Sequence, residues 1–508
     1  MALSINPTVP EPTRRGRSRR RASWLRAAIP AAAVAIVLAG CTSGAGTTAT
    51  TTTTTQAAAA SANSAASTAA GNPAGAAPNA PGAPGAPGAP GAPGAPGDAP
   101  GDAPGGASTG QYVATGAYSL STGTETKSSA SYNSTVDDQS AVLVTGSANL
   151  TLTDATITTS GATKASEESS FYGLNAGLLA QSGGKVTLTG GSVTTTGTGA
   201  NGIFASGTSV ITASNLTIKA TGQYAHGAMA SGGGTVTLSN VTVSTAGGNS
   251  AAIATDRGGG TITVTGGSAT TSGQDSPAIY STGTITATGG TYTATGAEAA
   301  VIEGANSITL TDATLTTSKD KWGVMIFQSM SGNASGTKGT FTMTGGALSD
   351  PSTTGPLFYV TNSTGAISLK GVKVTAASGV LIKAATGKRG NSGSNGGTAV
   401  FTADGETLTG DLISDSSSSI AATLKNGTSL TGTINSAALT LDAGSSWTVT
   451  GTSNLTSFSD TSGVSGTTIT NINGNGHTVY YDASLAANSA LGGKTYSLNG
   501  GGQLTPKV

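Results

Sequence analysis

Between residues 150 and 374 an eight-residue pattern returns nine times, starting at Leu150, Val186, Ile211, Val236, Ile262, Ile285, Ile308, Phe341 and Ile367. Its first, third and eighth positions are apolar in every copy. The second, fourth and seventh are Thr or Ser in 24 of 27 cases, the exceptions being Ala347, Lys370 and Lys373. Such a two-residue alternation predicts a strand with one buried face. The fifth position breaks the alternation and is always Gly, Asn or Asp: Asp154, Gly190, Asn215, Asn240, Gly266, Gly289, Asp312, Gly345 and Gly371. These residues accept positive φ or close a turn with their own side chain. Each octet therefore predicts a strand, a sharp bend and a second strand. A third strand follows, as in Asn201 to Gly207, His226 to Gly232 and Ser378 to Lys383.

Successive octets start 36, 25, 25, 26, 23, 23, 33 and 26 residues apart. A period near 25 with occasional insertions predicts the coil of a solenoid. Three short parallel strands per coil predict an all-β, right-handed parallel β-helix over residues 110–470, since parallel crossovers are nearly always right-handed. At about 4.8 Å per rung, 12–14 coils would make a rod of roughly 60–70 Å. The insertions fall at Ser160 to Tyr172, Gln328 to Gly339 and Ala384 to Gly397. Beyond Val374 the repeat fades, and Leu439 to Gly451 reads as a further coil. The stretch from Leu439 to Phe458 resembles the C-terminal coils of autotransporter passengers of the pertactin and self-associating adhesin type. That resemblance implies a β-helix with an adhesive role at a bacterial surface. Only 38 residues follow Thr470, so the membrane β-barrel of that family is expected to be missing, and residues 471–508 are expected to cap the last open coil.

The N-terminal region has a different character. Seven of the nine arginines lie between Arg14 and Arg26, followed by an apolar run from Ala27 to Gly40 broken only by Pro30. The run is shorter than the ~20 residues that span a bilayer and reads as a signal peptide, residues 1–40. Leu38-Ala39-Gly40-Cys41 resembles the lipobox of bacterial lipoproteins, which implies lipidation of Cys41, palmitate included, and a membrane anchor through that lipid. Thr42 after the cysteine does not hold a lipoprotein of that family at the inner membrane. Arg20-Arg21 is compatible with twin-arginine export, although Ser23 stands where an apolar residue is usual. Residues 41–109 read as a disordered Thr/Ala tract and then a Pro/Gly-rich stalk. Ten of the eighteen prolines fall between Pro73 and Pro104, and a polyproline-like stretch of that length reaches at most roughly 100 Å.

Composition narrows function by exclusion. The chain has 508 residues, 9% of them charged, with 23 basic and 23 acidic side chains. From residue 41 onward the balance is 16 basic against 22 acidic, which disfavours nucleic acid as a partner. One cysteine and two histidines, His226 and His477, leave no metal-ligand set and no disulfide framework, and no cofactor motif is present. His226 matches Asn201 of the preceding coil and reads as a loop or strand-edge residue. Gly493-Lys494-Thr495 lacks the earlier glycine and the strand-loop-helix context of a phosphate loop.

Polysaccharide lyases and glycoside hydrolases also use β-helices, but they need carboxylates or basic groups clustered across coils. The nearest pair here is Asp256 and Glu303, about two rungs or roughly 10 Å apart, and solvated surface acids account for it. Thr-x-Thr rows, as at Thr187/Thr189 and Thr263/Thr265, are similar to those of ice-binding β-solenoids. The expectation is a surface-displayed, lipid-anchored, non-catalytic, adhesin-like or structural protein binding a glycan, a matrix polymer or itself. Its candidate binding loops carry Phe171, Tyr172 and Trp322, because binding concentrates on long loops of a rigid scaffold. The anchor has a direct test. Cys41→Ala is expected to leave the precursor unprocessed and free of lipid label, and normal maturation of that variant would contradict the lipobox.

Overall fold

All nine octet bends carry positive φ, from 51° at Asp154 and Asp312 to 67° at Gly190. An Asn, Asp or Gly at this point turns the chain between two flat faces, and the rest of the coil follows. The computed structural model describes residues 112–163, 165–318, 321–329, 337–460 and 462–507. The expected signal peptide (1–40), Cys41 and the stalk (41–109) lie outside them. The described chain is an all-β parallel solenoid of about 15 turns, with almost no helix. In a representative coil, Lys185–Thr189 and Ser192–Thr195 flank the bend, and Ile203–Ser206 forms the third strand. Each strand pairs in parallel with its counterparts in the coils before and after, as Lys185–Thr189 does with Asn149–Thr153 and Val210–Ser214.

Stacking in register turns each octet position into a column. The first apolar position runs Val186, Ile211, Val236, Ile262, Ile285, Ile308, Phe341 and Ile367 through successive coils, and every member is buried. Burying each such side chain contributes about 1.5–3 kcal/mol relative to exposure, and parallel backbone hydrogen bonds tie the rungs together. Outward from the same strands, Thr151, Thr187, Thr212, Thr237, Thr263, Thr286, Thr309 and Thr342 stack in one rank.

The corner between the second and third strands is the tightest part of the coil. Gly222, Gly247 and Gly273 stack so closely that a Cβ at each would lie 1.7–1.9 Å from the carbonyl oxygen of the glycine below. Only a residue without a side chain fits such a column. Beside it, side chains serve the corner's backbone polar groups. The His226 N–H donates to Asn201 Oδ1 (2.8 Å), and the Ala251 N–H donates to His226 Nδ1 (3.0 Å). His226 is therefore a buried member of a corner ladder.

Toward the C-terminus the coils continue through Ile434–Leu441 and Ser446–Val449. Trp447 is fully buried there, its Nε1 donating to the Gly432 carbonyl at 2.9 Å. Thr468–Asn473 and Thr478–Tyr481 pair in parallel with Tyr496–Asn499 and Gln503–Pro506, which also pair antiparallel with each other. A short 3-10 segment, Ala486–Leu491, is held over Phe458 by Asn488, whose Oδ1 accepts the Phe458 N–H at 2.9 Å.

Two predictions follow from these corners. A Cβ at Gly289 meets nothing nearer than 3.9 Å, while its φ is 65°. Gly289→Val should thus cost on the order of 1–3 kcal/mol through backbone strain alone, whereas Gly289→Asn should cost less. Equal melting temperatures for the two variants would contradict the bend. Burial lowers the pKa of His226 from 6.5 to about 4. The unfolded chain therefore binds the extra proton first, and stability present above pH 6.5 is lost as pH falls toward 4, by roughly 3 kcal/mol in all. His226→Asn copies Asn201 of the coil below and should remove that part of the acid sensitivity. An unchanged melting profile between pH 7 and pH 4.5 would refute the assignment.

Candidate functional site

The third strand differs from the other two because it is apolar on both sides. Its inward residues, such as Ile203, Ala228, Ile253 and Ile279, join the main core. Its outward residues form a second column, in order Leu143, Leu179, Phe204, Met229, Ala254, Tyr280, Val301, Met325 and Tyr359. All of these are buried except Tyr280, which is half-buried. A sheet buried on both faces needs a cover, and the inserted segments supply it.

The first insertion forms a short helix, Ser166–Tyr172, ended by Gly173 in the left-handed region. A Cβ at Gly173 would lie within 2.8 Å of both Leu179 and Phe204, so the helix end sits directly on the outward column. Ser231 Oγ donates to the Phe171 carbonyl at 2.7 Å, and the Arg257 guanidinium lies 3.9 Å from the centre of the Phe171 ring. Tyr172 remains exposed, its ring centroid 6.0 Å from that of Tyr112. The two aromatics of this loop thus divide their roles. Phe171 faces the rod and its cation, and Tyr172 faces solvent.

The other insertions cover the far end of the same face. Trp322 stacks on Tyr359 with ring centroids 4.2 Å apart and planes 18° from parallel. Asn362 Nδ2 donates to the Gln328 carbonyl at 2.9 Å, and Tyr359 OH donates to the Thr386 carbonyl at 3.3 Å. Arg389 stands 5.8 Å from the centre of the Phe327 ring.

Between the two covers lie Asp256, Arg257, Tyr280 and Glu303, all half-buried or exposed. Tyr280 OH donates to one oxygen of Glu303, and Ser329 Oγ donates to the other. Burial, followed by the carboxylates of Glu303 and Asp256, pushes the Tyr280 phenol well above its ordinary value of 10.0. It therefore stays a neutral hydroxyl at any physiological pH. Asp256 Oδ1 accepts the Arg257 N–H at 2.7 Å.

Chemically, this is a strip of fixed hydrogen-bonding groups flanked by aromatic rings. Asp256 and Glu303 occupy matching positions two rungs apart, which at about 4.8 Å per rung is roughly 10 Å. Both oxygens of Glu303 already accept hydrogen bonds, so it is arranged to orient hydroxyls. Among the described residues no group of three or more His, Cys, Asp or Glu side chains converges as a metal site.

The sequence pattern singles out Phe171 and Tyr172 within the first insertion and Trp322 just upstream of the second, and all three lie on this one face. It did not bring out Arg257, Tyr280, Ser329 or Tyr359. A signal for them exists in the third strands themselves, where runs such as Val324–Phe327 lack polar alternation and so imply burial on both sides.

No protein-family model matches the chain, and no curated protein matches it. Among solved structures it is similar to a chain of the cryo-EM structure of the Vag8–C1 inhibitor complex. The match has 16% identity, a TM-score of 0.47, and coverage of 66% of this chain and 81% of the other. A likeness that distant carries no residue role and no partner across.

Proposed function

We propose that this chain is a surface-displayed, lipid-anchored, non-catalytic binding protein that engages a glycan or matrix polysaccharide through its third face. One observation carries the reading: the described parts of all three insertions contact the same face, and Asp256, Arg257, Tyr280, Glu303 and Trp322 stand on it. Asp256, Tyr280 and Glu303 would meet sugar hydroxyls, while the Trp322–Tyr359 stack offers an aromatic ledge of the kind that suits sugar rings. In this reading the lipid on Cys41 and the stalk hold the rod away from the membrane, and residues 471–508 close its far end.

A glycan array with the purified protein, run beside reducing-sugar and unsaturated-product assays, tests the proposal. Binding without turnover is expected, and Tyr280→Ala or Trp322→Ala should weaken it at least tenfold, about 1.4 kcal/mol. Product release that depends on Asp256 or Glu303 would make the protein an enzyme, and silence in every arm would leave a structural coat.

The Thr rank on the first face supports a second reading. Thr187, Thr212, Thr237, Thr263, Thr286 and Thr309 repeat without a break on an outward strand face, a spacing suited to an ordered surface such as ice. Thermal hysteresis would favour that reading, and its absence leaves Thr as a good outward strand residue.

A further inference from the structure

In three successive coils the corner between the second and third strands holds Asp275, Glu298 and Lys321. Each stands thirteen residues after the start of its own octet, at Ile262, Ile285 and Ile308. All three are buried, with exposures of 8%, 0% and 8%. Lys321 Nζ is in direct contact with Asp275 Oδ1. Gln274 Nε2 donates to the other oxygen of Asp275, Oδ2, at 3.1 Å. Glu298 Oε1 stands 3.9 Å from the same Lys321 nitrogen.

Neither oxygen of Glu298 accepts a hydrogen bond among the described residues. A buried carboxyl in that condition is costly and calls for an explanation. An ion pair between Lys321 and Asp275 gives no reason to place a second acid beside it. A reaction between them does, because joining an amine to a carboxyl requires a group that moves protons from one to the other.

We propose that Lys321 and Asp275 condense into an intramolecular amide, with Glu298 as the proton-transfer group. Proton transfer along the Nζ–Oδ1 contact supplies the neutral amine and the carboxylic acid. Lys321 Nζ then attacks Asp275 Cγ, forming the C–N bond. Negative charge develops on Oδ2, where the Gln274 N–H is already placed to stabilise it. Glu298 takes a proton from Nζ and passes it to Oδ1. The C–Oδ1 bond breaks, and Oδ1 leaves as water. One amide forms for one water lost, and no oxidant or cofactor enters. Burial, chiefly, raises the Glu298 pKa to about 7, with Lys321 opposing the rise, so this carboxyl can both take and give a proton near neutral pH. The fold holds the partners in contact, which makes the step effectively unimolecular.

The bond would tie together positions 46 residues apart, bridging two coils across the one that bears Glu298. It would also fix the residue next to Trp322 and so anchor the aromatic ledge. Cross-links of this kind stabilise chiefly by restricting the unfolded chain.

Peptide mass spectrometry on the full chain after denaturation and proteolysis tests the proposal. A branched peptide joining Asp275 to Lys321 is expected, lighter by one water than its two linear parts together. Glu298→Gln keeps the shape and removes the proton transfer, so it should fold with the same β content and show only linear peptides. Lys321→Arg should show none of the branched species. Two linear peptides in the wild-type protein after prolonged incubation at pH 7 would overturn the proposal. Equal branching in wild type and Glu298→Gln would overturn the role of Glu298.

Discussion

Each coil of this protein must deliver its backbone hydrogen bonds to the next coil at the same height, and everything else yields to that requirement. The second strand of every octet is four residues long, because a shifted strand would break the ladder on both sides. The bends obey the same rule. Nine octets keep positive φ at one position although the residue alternates among Gly, Asn and Asp. The glycine column at the corner between the second and third strands obeys it more severely, with carbonyl oxygens less than 2 Å from where Cβ atoms would sit.

A scaffold under that constraint can vary in few places. Extra residues leave only at corners, and once out they need apolar surface to rest on. The outward column from Leu179 to Tyr359 provides that surface, and the helix at Ser166–Tyr172 and the segments near Gln328 and Arg389 take it up. The half-buried strip left between them holds Asp256, Tyr280 and Glu303. In the proposed reading, the ligand site is thus placed by where the covers stop.

Much of the architecture could be read in the sequence. Alternation at positions one to four of the octet marked the strands, and the invariant bend class marked the corners, because both report local backbone geometry. The third strand is legible in the sequence, but alternation gives no signal for its two-sided burial, since Phe204, Met229 and Tyr280 stand where an outward polar residue would be expected. The insertion bearing Phe171 and Tyr172, and the one that begins just after Trp322, are legible by length, and their convergence on one face requires the coil-to-coil register. The Asp275–Glu298–Lys321 corner had a signal in its spacing, since all three keep one offset from their octets. Its burial was invisible, because it depends on the packing of three coils at once. The signal peptide, Cys41 and the stalk rest on sequence alone.

Hydrogen–deuterium exchange with and without the polysaccharide that the protein retains tests the central claim most directly. The proposed ligand site is the strip between the two covers. Added protection should therefore appear at Asp256–Arg257, in the strand Ala300–Glu303 and around Trp322, with the Thr ranks unchanged. Protection confined to the Thr-bearing strands, with none on the third face, would contradict it.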